Sequence, residues 1–239
     1  MTLAYDGTEY RGWQLQPEGD TVQGLVESAL ARMAKAPIRV TAAGRTDSGV
    51  HASAQVAHFR LERPIPLDGI LRGLNAMLPG DVRVLDVERV EEDFHARFGA
   101  RSKTYRYFLD RAKVASPLRC RFTLHYPHPL DRDALDRAAA LIIGEHDFAG
   151  FRASSCEART TTRSCTQSIW RAEADELVYE IAANGFLHHM VRNLVGTLLE
   201  IGRGKRAPDS IEVIFRSKDR TEAGPTAPAH GLHLIRVDY

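Results

Sequence analysis

The sequence predicts an α+β fold built from two ferredoxin-like βαββαβ halves, with mainly antiparallel sheets side by side and a cleft in the middle. Two observations carry this expectation. Between Thr2 and Val90 the apolar spacing alternates between strand and helix periods in the order β-α-β-β-α-β. After Arg101 the same order recurs with longer insertions. A chain of 239 residues, 44% of them apolar, is long enough to bury two such cores.

The elements follow in order. Thr2–Tyr5 reads as a short strand running into a turn. Thr21–Ala34 carries Val22, Leu25, Val26, Ala29, Leu30 and Met33 at helical spacing, with Thr21 as N-cap. Ile38–Ala43 and Ala54–Leu61 read as strands. Leu67–Leu78 is helical, stopped by Pro79-Gly80, and Val82–Val90 alternates as a strand. A boundary near Glu91–His95 divides the chain into residues 1–95 and 96–239. In the second part Arg101–Leu109 is a strand and Asp131–Ile143 a helix with Leu135, Ala138, Ala139 and Ile142 on one face. Thr162–Ala172 and Leu177–Ala183 form an antiparallel pair joined by Glu173-Ala174-Asp175-Glu176. Phe186–Ile201 is a helix, Ser210–Phe215 a shorter one, and Leu232–Val237 a closing strand. The halves share no sequence identity, so the duplication is one of architecture.

Composition excludes several classes. No window approaches the ~18 apolar residues of a membrane helix. The start, Met1-Thr2-Leu3-Ala4-Tyr5-Asp6-Gly7, lacks the pattern of a signal peptide. Cys120, Cys156 and Cys165 are too far apart for a zinc pattern or a disulfide framework, so free thiols and a cytoplasmic location are expected. Charge is balanced overall, 32 Lys+Arg against 31 Asp+Glu, but not locally. Between Arg97 and Arg121 stand eight basic residues and one acid, Asp110, with Tyr105 and Tyr107 among them on one strand face. Such a mixture suits either a polyanion with unstacked bases or a solvated strand edge.

The segment Gly44-Arg45-Thr46-Asp47-Ser48-Gly49-Val50-His51 sets one carboxylate between two glycines where a strand ends. Glycines there allow φ > 0 and close approach of a ligand. Asp47 is accordingly either a nucleophile or base, or a turn residue bonding its own backbone. Arg45, taken by itself, is as readily a surface ion pair as a ligand contact. His51 follows Asp47 by four residues, but in a glycine loop that spacing places nothing on a common face, so His51 is expected to be a structural hydrogen-bonder.

These stretches, taken together, resemble the tRNA pseudouridine synthase A family. The resemblance rests on the Asp47 loop; on Tyr5-Asp6-Gly7-Thr8 with Gly12-Trp13-Gln14; on Asp93-Phe94-His95-Ala96-Arg97-Phe98; on Tyr105-Arg106-Tyr107; on Gly185-Phe186-Leu187 with Met190-Val191-Arg192-Asn193; and on Asp219-Arg220 leading through Ala223–Ala229 to Gly231-Leu232. One departure is Ala54, where the family usually has glycine.

The resemblance implies the pseudouridine synthase fold, a homodimer, and an isomerase of uridines 38, 39 and 40 in the tRNA anticodon stem-loop, with no metal and no organic cofactor. It implies that Asp47 is the catalytic carboxylate, adding to C1′ or C6 or removing the C2′ proton. Arg192 resembles the arginine paired with that aspartate, Arg45 a residue that props the flipped nucleotide, Tyr105 the tyrosine that stacks on uracil. Leu232 is read as lining the uracil pocket or as core. The adjacent His188-His189, read as helical, point apart and are not expected to share a metal. Two other classes remain in view: a non-catalytic RNA-binding module, and a hydrolase using Asp47 with His51.

Overall fold

A computed structural model of the protein describes residues 1–62, 64–156, 158–173 and 175–239. In chain order the elements are β1 (Thr2–Tyr5), α1 (Val22–Ala34), β2 (Thr41–Ala42), β3 (His51–His58), α2 (Leu67–Met77), β4 (Val82–Asp86), β5 (Ser102–Asp110), β6 (Leu124–His125), α3 (Arg132–Ala140), β7 (Gly144–Asp147), β8 (Thr162–Glu173), β9 (Glu176–Ala183), α4 (Met190–Gly202), α5 (Ser210–Ser217) and β10 (Leu232–Asp238). The fold class is mixed α+β, and most strand pairs are antiparallel. Two compact units form: Met1–Arg101 with His233–Tyr239, and Ser102–Leu232. The closing strand, grouped with the second part on sequence, is thus compact with the first. Among the described residues no helix is long and apolar enough to cross a membrane.

The first unit keeps the β-α-β-β-α-β order. Its strands lie in the order β4-β1-β3-β10, with β2 also on β3. Leu3 stands opposite Gln55 on one side and Val84 on the other, while His233 and Leu234 pair in parallel with His51 and Ala52. Thr21 caps α1, its Oγ1 accepting from the Gly24 N–H at 3.2 Å. Val22, Val26, Ala29 and Leu30 are the buried stripe of α1, and Ile70 and Leu74 that of α2. Met33 of α1 lies against Gly73 of α2, where a Cβ would come within 2.6 Å of its methyl.

Strand β2 is shorter than the expected Ile38–Ala43, because side chains of α1 take over the backbone before it. The Val40 N–H donates to Glu27 Oε1 at 2.9 Å and the Val40 carbonyl accepts from Gln23 Nε2 at 3.1 Å. Strand β3 begins at His51 rather than Ala54, and β4 ends at Asp86 rather than Val90.

The second unit places its strands in the order β5-β9-β8-β7, with β6 on β5. Tyr105 and Tyr107 of β5 stand opposite Ile181 and Tyr179 of β9, and Tyr179 opposite Trp170 of β8. Tyr107, Tyr179, Phe148, Phe151, Leu135 and Ile181 are among the largest fully buried side chains. Asp131 caps α3, accepting from the Ala134 N–H at 3.0 Å. Of the expected β8–β9 connection, Ala174 lies outside the described residues; Glu173 and Glu176 are the last paired positions of that ladder. Helix α4 starts at Met190, later than Phe186. His189, at φ 61, is its N-cap residue, so His188-His189 precede the helix instead of lying on it.

Candidate active site

In the first unit, Asp47 sits half-buried in a turn of its own making. Its carbonyl accepts from the Val50 N–H at 3.1 Å, and Gly49 within the turn has φ 77. That conformation costs a glycine nothing and strains other residues. The turn is braced from outside by residues 5–13. The Tyr10 carbonyl accepts from Ser48 Oγ at 3.1 Å and from the Gly49 N–H at 3.4 Å. The Trp13 N–H donates to the Thr46 carbonyl at 3.1 Å. Gly12, at φ 86, lies so close that a Cβ there would stand 2.5 Å from the Thr46 carbonyl oxygen.

Buried side chains complete the brace. Tyr5 Oη meets Thr46 Oγ1, and Gln55 Nε2 donates to the Gly44 carbonyl at 2.8 Å. Burial pushes the Tyr5 phenol up to about 12, its bonds to Thr46 and Gln55 working the other way. His51 is buried, its Nδ1 accepting from the Gly7 N–H at 3.1 Å and lying 3.2 Å from Asp6 Oδ1. It also stacks on His233, with centroids 4.6 Å apart. His51 is therefore the structural hydrogen-bonder expected of it. Arg45 stands exposed beside the turn.

In the second unit, Tyr105 is buried and meets Phe186 edge-on, with ring centroids 5.0 Å apart. Arg192 lies in the first turn of α4 and is tied to a returning loop: its Nε donates to the Ala227 carbonyl at 2.8 Å, and its own carbonyl accepts from the Ala227 N–H at 3.1 Å. The same loop is met by Tyr107, whose hydroxyl donates to the Pro228 carbonyl at 2.8 Å. Gly231 packs on that ring; a Cβ there would stand 2.6 Å from it. Leu232, next in the chain, is buried. Burial, reinforced by the positive Arg192, holds the His230 imidazole below its usual value.

The basic run is partly spent within its own unit. Arg106 pairs with Glu180 and Arg119 with Glu176, both acids of β9. Arg97, Arg101, Lys113 and Arg121 are exposed. Sequence reasoning passed over Arg220 and Asn193 as carriers of any role. Both lie in the motif stretches, yet nothing in residue type or spacing shows that Arg220 Nη2 reaches Asn193 Oδ1 at 3.0 Å.

A family model described as tRNA pseudouridine synthase matches residues 1–99 and 138–239. The chain is 46% identical over 240 aligned residues to "tRNA pseudouridine synthase A" of Syntrophotalea carbinolica, covering 100% of this chain and 95% of that one. It is 46% identical to the protein of the same name from Halalkalibacterium halodurans, over 97% of this chain and 89% of that one. With that of Francisella tularensis subsp. novicida it shares 40% identity over 100% of this chain and 93% of the other.

Proposed function

The chain belongs to the tRNA pseudouridine synthase family, and on that premise we propose that Asp47 is the carboxylate through which it works. The enzyme is an isomerase that converts uridine to pseudouridine in tRNA. The reaction breaks the N1–C1′ bond, turns the base, and joins C5 to C1′. The proton at C5 leaves and N1 gains one, so substrate and product have the same atoms. A stacked nucleotide cannot rotate in this way, so the uridine leaves the helix first.

The remaining roles are ours to propose. Asp47 adds to the nucleoside or takes the C2′ proton, and Arg192 is its positively charged partner in the reaction. Tyr105 stacks on the detached uracil and Arg45 props the extruded position. Leu232 gives the pocket an apolar wall. The substrate is the anticodon stem-loop, positions 38–40, and the enzyme acts as a cytoplasmic homodimer. Residues 1–95 deliver the carboxylate, and residues 96–239 most of the RNA and uracil contacts. One observation above all supports the choice of Asp47. Its turn is clamped by Tyr5, Tyr10, Gly12 and Trp13, far more restraint than a solvated surface loop receives.

Asp47→Asn tests the reading. With tRNA carrying tritium at uridine C5, the variant is expected to fold, bind tRNA and release no tritium. Normal release from Asp47→Asn removes Asp47 from the chemistry. Binding without any release by the unaltered protein points instead to an RNA-binding module.

A further inference from the structure

We propose that Arg220 is a positioning residue for the reaction: it fixes the loop Ala223–Pro228 on α4 and through that loop sets the Arg192 guanidinium. This rests on the role given to Arg192 above.

The geometry is a closed polar network within the second unit. Arg220 Nη1 donates to the Gly224 carbonyl at 2.9 Å, and Nη2 donates to Thr226 Oγ1 at 3.1 Å and Asn193 Oδ1 at 3.0 Å. Thr226 Oγ1 donates in turn to Asn193 Oδ1 at 2.7 Å. Asn193, fully buried one residue after Arg192, is held from its other end by Nδ2 donating to the Phe151 carbonyl at 2.8 Å. Below it the Gly224 N–H donates to Thr197 Oγ1 at 2.8 Å, and Thr197 Oγ1 to the Asn193 carbonyl at 2.8 Å.

The network ends at Thr226, beside Ala227, whose carbonyl accepts from Arg192 Nε and whose N–H donates to the Arg192 carbonyl. A planar fork suits this task. Arg220 spans a side-chain carbonyl, a hydroxyl and a backbone carbonyl at once, all neutral, where a lysine ammonium reaches fewer in fixed directions. The loop also packs backbone against helix: a Cβ on Gly196 would stand 1.6 Å from the Pro225 carbonyl oxygen. Arg220 shares in setting the height of Ala227 over Arg192 with that contact and with the Tyr107 hydroxyl on the Pro228 carbonyl, so loosening Arg220 is expected to shift the guanidinium. Displacements of about 1 Å at a reacting group cost up to roughly 100-fold in rate.

The experiment measures steady-state and single-turnover tritium release from C5-labelled tRNA. Arg220→Gln is expected to lower kcat on the order of 10- to 100-fold while KM stays within about 3-fold. Thr226→Val, a gentler cut in the same network, is expected to lose about 3- to 10-fold in the same way. Thermal midpoint and tRNA-binding stoichiometry are followed to show that the variants are folded. In an Arg192→Lys background, followed over long single turnovers, Arg220→Gln is expected to add less than about 2-fold. A loss that repeats in full in that background shows general damage and overturns the proposal. So does wild-type kcat in both Arg220→Gln and Thr226→Val. Full activity in Arg192→Lys alone removes Arg192 from the reaction and the proposal with it, whereas the role of Asp47 is decided separately by Asp47→Asn.

Discussion

The Tyr5 hydroxyl lies 2.8 Å from Thr46 Oγ1, one residue before Asp47. Both groups are buried, and Tyr5 Oη also accepts from Gln55 Nε2 at 3.4 Å. The first strand thus reaches across to the turn that carries the carboxylate. Tyr5→Phe strands the Thr46 hydroxyl without opening a cavity. The expected cost is about 1 kcal/mol, read as a lower urea midpoint at unchanged slope. kcat is expected to fall, since the loosened Thr46 adjoins the carboxylate that must be held in place. An unchanged kcat would show that the turn keeps its place without Tyr5.

Tyr105 offers a test of ring against hydroxyl. Its ring is fixed edge-on to Phe186. Tyr105→Phe preserves that contact and the flat face available for stacking; Tyr105→Leu loses both. Tyr105→Leu is expected to slow single-turnover tritium release at least about 10-fold, with Tyr105→Phe between it and the parent. Equal rates for Tyr105→Leu and the parent take the residue out of the site.

Gly196→Ala probes the seat of the loop on α4. The added methyl collides with a backbone carbonyl, which unlike a side-chain tip has nowhere to swing. A stability loss of about 2 kcal/mol or more is expected, with loss of activity. Gly204→Ala is the control: φ is 69 there but a Cβ meets nothing within 4 Å, so only backbone strain of about 1 kcal/mol is added. Equal midpoints for the two variants in urea would show that the loop is not seated by that contact.

Asp147 gives the second unit an acid-sensitive element. Burial opposes its ionisation, but bonds from the Thr161 and Lys218 side chains and the Ala149 N–H outweigh it and hold the carboxyl below 3.8. Lys218 Nζ lies 2.9 Å away. A carboxyl depressed on folding stabilises the folded state above its unfolded value, and that stabilisation is lost as pH falls through the folded value. Asp147→Asn is therefore expected to be less stable than the parent at pH 7, with the gap closing below pH 3.8. Urea midpoints at neutral and acid pH measure this, and a gap that persists in acid rejects it.

Helices and long strands could be read from the sequence because their apolar periodicity reports the burial that forms them. The Thr21 cap and the stripe of α1 are examples. What escaped reading was set by partners distant in the chain. Ile38–Val40 have strand composition, yet Glu27 and Gln23 occupy the backbone groups a ladder needs. Strand β7, Gly-Glu-His-Asp, has no apolar alternation and exists through its pairing with β8. Helix α4 starts late because His189 turns left-handed, which no residue nearby announces. Asp47 could be singled out from its glycines, but not the brace of Tyr5, Tyr10 and Gly12 that fixes it. Arg220 likewise stands in a motif stretch, but its fork across Asn193 and Thr226 exists only in the folded chain.

The parallel pairing of β10 with β3 bears on how the protein is made. His51 and Ala52, which follow directly on the Asp47 turn, find their neighbours His233 and Leu234 only after the whole second unit has been synthesised. On the ribosome the first unit therefore waits with that stretch of strand edge uncovered, a segment open to wrong pairing until the chain end arrives. Translation cut short anywhere in the second unit yields a polypeptide that holds the carboxylate yet has no means of closing the sheet behind it.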